Sequence, residues 1–339
     1  SVSLVRTWRR ELSYCFARHR LLGRNARRSA GILRPTIVQL QTINRCNGSC
    51  VMCPYTGTVA KREREVMSLP LYRRILDQLA SWPTHGLLVL CFQNEPFLDE
   101  RIEDWVAEAR HRLSGRWMIE LTTNGTRLTA SRIERMTKCP PDAVSISINA
   151  LTEGTYRRVM PGLPWNTLQD NIGHLTRSEL RDRVWLRFIR IRDNDGEYGA
   201  FRRHWHRREL PVIGFPCNSR LGSVPDYEKI RRVRPTGFER WLYDVLSPAP
   251  GGRCRLPFAQ MNVLANGDLL LCCNDYRGES VVGNAERDLL ESAFNGEAYQ
   301  RARTSFADRR PGGLCAKCSL LRVDGPISVG RRSRCRETS

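Results

Sequence analysis

From residue 36 onward, short β-branched apolar runs alternate with longer stretches of helical periodicity. The runs TIVQLQT (36–42), LLVLCF (87–92), WMIELTT (117–123), AVSISIN (143–149), VWLRFIRI (184–191) and PVIGFPC (211–217) read as strands. Between them, helical spacing covers 68–81, 99–113, 129–137, 153–178 and 198–208. Such β–α units in series imply parallel strands joined by right-handed crossovers. Six strands are too few for a closed eight-stranded barrel. The expected fold is therefore α/β, a partial (β/α)6 barrel over residues 36–225, with its site at the carboxyl ends of the strands.

Beyond Pro225 the pattern changes. Residues 226–250 have helical spacing and run into PAPGGRC, a Pro/Gly-rich boundary. FAQMNVLANGDLLLCC then reads as a β-hairpin, two apolar runs around Ala265 to Asp268, with Asn266-Gly267 suited to the positive φ of a tight turn. A short helix (287–304) and a cysteine-bearing tail complete a small α+β domain, residues 226–339. At the other end, RTWRRELSYCFARHRLLGRNARRS (6–29) predicts an amphipathic helix with a solvated surface, part of a basic extension over 1–35.

Composition narrows the class. The 339 residues include 13 cysteines. The opening SVSLVRTWRR lacks the apolar core of a secretory signal, and no apolar run approaches the ~18 residues of a membrane span. A cytoplasmic, reducing setting with metal-bound thiols is the expectation, rather than disulfides. Net charge is +20, carried almost wholly by Arg; Lys61, Lys138, Lys229 and Lys317 are the lysines. These arginines are spread along the chain, with no RNA-binding aromatic motif and no zinc-finger spacing. Nucleic acid therefore ranks below an anionic small substrate or an acidic electron donor such as flavodoxin or ferredoxin.

Directly after the first strand, NRCNGSCVMCPYTG places Cys46, Cys50 and Cys53 at C-x3-C-x2-C with no fourth ligand nearby. Structural zinc takes four protein ligands. Three thiolates on a [4Fe–4S] cluster leave one iron open. Spacing alone also admits a zinc loop, but its place after a first β-strand resembles the radical S-adenosylmethionine (SAM) superfamily. The resemblance implies a cluster whose open iron chelates the methionyl group of SAM, and reductive cleavage to a 5′-deoxyadenosyl radical that abstracts hydrogen from substrate.

The same resemblance extends over residues 36–225. FQNEPFLD (92–99) is similar to the family's glycine-glycine-glutamate element, which implies that Glu95 helps hold the amino group of SAM. Asn124 in TTNG matches a position near the ribose, and Ser147 and Asn149 end the fourth strand at the same rim. Strand-end capping is the competing role for those three. On the fifth strand, Arg187 and Arg190 stand an odd number of residues apart, so at most one faces inward. Arg190, nearer the carboxyl end, is the expected contact for the methionyl carboxylate, with the solvent rim as its alternative.

Cys254, Cys272, Cys315 and Cys318 form a second set: one thiol before the hairpin, one on its second strand, and a distant C-x2-C. They could hold zinc or a [4Fe–4S] cluster. The arrangement over 254–320 resembles the SPASM/twitch domain of radical SAM enzymes in its form with one auxiliary [4Fe–4S] cluster; Cys335, the one cysteine after that pair, does not complete a second. Cys272 rather than Cys273 keeps the spacing to Gly267. Most of Cys15, Cys91, Cys139, Cys217, Cys273 and Cys335 read as small hydrophobes. Cys217, at the end of the sixth strand, is the candidate hydrogen-atom donor.

The CVMCP loop and the Asn94-Glu95-Pro96 variant resemble members that act on sugars and nucleosides in antibiotic biosynthesis, by C–C bond formation, decarboxylation, epimerisation or oxidation. Peptide-modifying members usually carry a leader-binding domain, for which residues 1–35 are too short. A radical SAM peptide maturase and an iron–sulfur electron carrier are the competing readings.

Overall fold

The computed structural model describes residues 2–24, 31–231, 249, 254–307 and 311–320. Nine strands form one sheet. They are β1 (Ile37–Leu40), β2 (Gly86–Val89), β3 (Trp117–Thr123), β4 (Ala143–Ser147), β5 (Val184–Arg190), β6 (Val212–Pro216), β7 (Gln260–Val263), β8 (Asp268–Leu270) and β9 (Val281–Asn284). Their order is β6-β5-β4-β3-β2-β1-β7-β8-β9, and β1 to β6 pair in parallel. The six expected strands are all present. The hairpin strand β7 pairs parallel to β1, with Ile37 opposite Gln260, so the carboxyl-terminal segment continues the barrel sheet at its first edge.

Helices α1 (Val2–Arg24), α2 (Leu69–Ser81), α3 (Ile102–Leu113), α4 (Ala130–Lys138), α5 (Glu153–Val159), α6 (Trp165–Thr176) and α7 (Tyr198–His206) accompany the six parallel strands. A helix expected over 153–178 is two, α5 and α6. Pro161, Gly162 at φ 82° and Pro164 break it, because proline cannot continue a helix and a positive φ suits glycine. Val38, Leu40, Leu88, Leu90, Ile119 and Leu121 face a single core shared with these helices. Short helices α8 (Tyr227–Ile230), α9 (Leu256–Ala259) and α10 (Leu290–Phe294), then α11 (Glu297–Ala307), follow. Most of the helix expected over 226–250 lies outside the described residues. Among the described residues no helix is long and apolar enough to cross a membrane.

The alternate face of each strand looks into the barrel, and there α1 departs from the solvated extension expected of it. Its Leu22 packs on Ile37, Leu87 and Val89. Glu11 accepts from Val212 N at 2.7 Å and meets His206 at 2.6 Å. Tyr14 donates to Glu120 at 3.0 Å, and Arg10 reaches the backbone of Asp182 at 2.7 Å. Helix α1 thus spans the inner face from β6 to β1 as a plug. Its arginines are recruited by strand ends and by Glu120, which net charge alone does not reveal.

Candidate active site

The three-cysteine loop leaves the carboxyl end of β1 and is tied down along its length. Asn44 accepts from Glu65 N at 3.0 Å and donates to Glu63 O at 2.6 Å. The Cys46 N–H donates to the Tyr55 hydroxyl at 2.8 Å. Ser49 N and Val51 N each donate at 3.1 Å, to Pro161 O and Val159 O. The break between α5 and α6 therefore docks the loop. Burial holds the Cys46 thiol up at about 12, with Glu95 adding to the effect. Cys50 is pushed well above its usual value by burial and by its two sister thiols. Metal binding must displace these protons.

Gln93, at the first glycine position of the resembled element, has φ 57°, a left-handed conformation that glycine adopts without strain. Glu95 follows, 2% exposed. It accepts from Thr123 Oγ1 at 2.6 Å, Asn124 N at 2.7 Å and Phe97 N at 3.2 Å. Burial outweighs these donors and lifts its carboxyl to about 7. A cationic or amine group arriving beside it would favour the ionised form.

The remaining rim residues divide. Asn124 donates to Asn47 Oδ1 at 2.8 Å, joining the β3 rim to the cysteine loop. Ser147 is half-buried on the cavity wall. Asn149, at φ 58°, accepts from Ile189 N at 2.7 Å, so much of its amide serves as a strand-end cap. Strand alternation places Arg190 with Val184, Leu186 and Phe188 on the helix side, where it pairs with Asp195 at 2.6 Å and stacks over Tyr198 at 4.3 Å. Arg187, the one not chosen from the sequence, is on the inner face, bound to Glu120 at 2.8 Å. Arg190 still touches the cavity from its rim.

The far cysteines also meet. Burial raises Cys254, and Cys318, Cys315 and Cys273 raise it further. Cys272 is raised by its neighbour Cys273, by burial and by Cys254, and its sulfur accepts from Asn274 N at 3.4 Å. Cys315 is lifted to about 11 by burial and Cys318. Of the adjacent pair, Cys273 ionises more readily, because Cys272 donates to it and Arg220 is near. Cys335 lies outside the described residues. Among the described residues no three Cys, His, Asp or Glu side chains converge as ligands of one ion. A cubane cluster instead gives each thiolate its own iron and asks for neighbouring rather than converging thiols, and the cysteines of each set are near enough to raise one another's pKa.

One cavity of about 1770 Å³ joins these parts. Cys46, Cys50, Cys53, Glu95, Asn124, Asn149 and Cys217 line it, and so do Cys273 and Tyr276 from the carboxyl-terminal segment. Helix α1 closes it with Tyr14, Arg18 and Leu22. Cys217 is held protonated, at about 11, chiefly by burial. Sequence reasoning passed over Gln93, Glu120, Arg220 and Tyr276. Gln93 and Tyr276 had local signals, the one inside FQNEPFLD and the other four residues after Cys272; Glu120 and Arg220 had none.

Residues 40–202 match the Radical SAM superfamily, and 254–319 match SPASM, an iron–sulfur cluster-binding domain. The S-adenosyl-L-methionine-dependent 2-deoxy-scyllo-inosamine dehydrogenase of Niallia circulans is 25% identical over 291 residues, 85% of this chain and 94% of its own length. Among solved structures, BtrN in complex with AdoMet and 2-DOIA is similar with a TM-score of 0.56 at 18% identity, covering 84% of this chain and 93% of that one. SuiB of Streptococcus suis bound to precursor peptide SuiA has a TM-score of 0.63 at 15% identity, covering 85% and 70%. At these identities the two structures speak for the fold.

Proposed function

We infer that this chain, which belongs to the radical SAM superfamily and carries a SPASM domain, abstracts hydrogen from a small hydroxyl-rich molecule, a sugar, aminocyclitol or nucleoside intermediate of antibiotic biosynthesis, and oxidises it. When bound, its SAM-linked [4Fe–4S] cluster supplies the electron that cleaves the sulfonium. Cys46, Cys50 and Cys53 would hold that cluster, and Cys254, Cys272, Cys315 and Cys318 the auxiliary one. Glu95 would accept a hydrogen bond from the methionyl amino group. A substrate seated in the cavity faces Cys46, Cys50 and Cys53 on one side and Cys273, Lys317 and Ser319, the chain neighbours of Cys272 and Cys318, on the other, and that shared wall is the observation that carries the reading.

The polar lining supports a neutral or amino polyol more than a phosphorylated one. Gln39, Gln260, Asn218 and Ser219 offer amides and a hydroxyl. The cationic walls are largely met from within: Arg18 and Arg187 by Glu120, Arg190 by Asp195, Arg202 by Glu11. Helix α1 walls the cavity from below with Tyr14, Arg18 and Leu22. The net charge of +20 suits an acidic flavodoxin or ferredoxin as electron donor.

Anaerobic incubation with SAM, dithionite and a panel of aminocyclitols, sugars and nucleosides tests this. A ketone product formed with one equivalent of 5′-deoxyadenosine is expected. Turnover of a precursor peptide and of no small polyol would instead establish the peptide-maturase reading. Cys217, protonated on the cavity wall, favours a second outcome on the same substrate class, redox-neutral epimerisation. Deuterium from solvent at the product carbon, lost in Cys217→Ala, would distinguish it.

A further inference from the structure

We propose that Tyr276, a residue of the carboxyl-terminal iron–sulfur domain, donates a hydrogen bond to Cys53 and so raises the reduction potential of the SAM-binding cluster, a cluster its own domain does not ligate. The inference rests on the two-cluster reading above and adds a coupling between the two centres.

The Tyr276 side chain is buried, 8% exposed, and packs with Tyr55 and Val59 against Cys46 and Cys53. Its hydroxyl stands 4.0 Å from Cys53 Sγ and has no other hydrogen-bond partner among the described residues. A free thiol and a phenol could each donate to the other. Once Cys53 is a ligated thiolate it has no proton, so the bond can run only from tyrosine to sulfur.

The position of the phenol is fixed by contacts from several elements. Arg62 Nη2 donates to Tyr276 O at 2.7 Å, and Gln93 Nε2 donates to Asp275 O at 2.8 Å. Arg220 Nη1 donates to Asn274 Oδ1 at 2.6 Å. Asp275 gathers Gly278 N at 2.9 Å and Ser280 N at 2.8 Å, which pre-forms the turn. The segment leaving Cys272 is thereby anchored to the first cysteine loop, to the glutamate loop and to the loop after β6.

A hydrogen bond to a ligand sulfur withdraws electron density and favours the reduced, more negative cluster. Arg220 adds to this field. Its guanidinium lies 5.8 Å over the Tyr276 ring, and its charge partners among the described residues are Tyr276 and the thiols of Cys273, Cys53 and Cys217 rather than a carboxylate. Arg220 and Leu221 both adopt left-handed conformations, φ 46° and 57°, so the loop holds the charge there against local strain.

The test is an EPR-monitored redox titration of reconstituted protein with both clusters loaded, reading the signal that shifts when SAM is added. Tyr276→Phe keeps the ring and removes the donor. It should disfavour reduction of the SAM-responsive cluster about tenfold, 59 mV for a one-electron couple, and leave the auxiliary midpoint in place. Arg220→Gln should lower the same midpoint, and Arg220→Lys should restore it. Full iron content with an unmoved SAM-cluster midpoint in Tyr276→Phe overturns this inference alone, as does a shift confined to the auxiliary cluster. Wild-type protein that binds no SAM-responsive cluster would overturn the functional reading and this inference with it.

Discussion

The carboxylate of Glu95 accepts the backbone N–H of Asn124 at 2.7 Å, which locks the loop after β2 to the rim after β3. Asn124 passes the connection to Asn47 between the first two cluster cysteines. The SAM-facing wall is thus one hydrogen-bonded unit. Glu95→Gln should keep the cluster and weaken SAM binding about tenfold, the size of one charge-assisted hydrogen bond. Calorimetry on reconstituted protein checks this; an unchanged affinity would leave Glu95 a purely structural residue.

The same carboxyl gives a pH signature in cluster-free protein. Folding lifts it from 4.5 to about 7 by burial, so the native state holds a proton that the unfolded chain has released. Its contribution favours the native state at low pH and is lost as pH rises from about 4.5 to about 7. Glu95→Gln has no such group. Melting of the variant should therefore gain on wild type between pH 5 and pH 8, by roughly 3 kcal/mol at most. A constant difference across that range would contradict the assignment.

Cys46→Ala, Cys50→Ala and Cys53→Ala combined should leave one cluster of about two, by ligand counting, and abolish SAM cleavage. Iron and sulfide assays with 5′-deoxyadenosine measurement decide it. Cleavage that survives the triple substitution would refute the site.

Glu120 is fully buried beneath Tyr14, Arg18 and Arg187. The arginines and Tyr14 overcome burial and hold its carboxyl below the usual range. Glu120→Gln would leave both guanidinium groups without their anion, at a cost of about 3–5 kcal/mol. Hydrogen exchange should then rise in α1 before the strands. Uniform protection in the variant would mean that α1 is held by its apolar contacts.

Cys315→Ala with Cys318→Ala should yield a less stable protein that still forms 5′-deoxyadenosine, uncoupled from product. A soluble variant with normal stability and full turnover would exclude a working auxiliary cluster. If the cluster serves only as a scaffold, the variant unfolds with the loss of its metal, and calorimetric melting of wild type with and without iron shows the same loss.

The local sequence determined the six parallel strands, because β-branched runs and helical periods are short-range signals, and it placed C-x3-C-x2-C and Glu95 at the strand ends that line the site. It also held the break at Pro161-Gly162, which the helical period of 153–178 concealed. What α1 covers was not readable, since arginines spaced on a helix look alike whether they meet water or Glu120, 102 residues away from Arg18. Alternation separated Arg187 from Arg190 but could not say which faced inward; that depends on which side of β5 the helices pack. The pairing of β7 with β1, and of Tyr276 with Cys53 across 223 residues, was decided by the tertiary structure alone. A strand edge and a phenol carry no address in their own sequence, and they find partners only where the folded sheet brings distant segments of chain together.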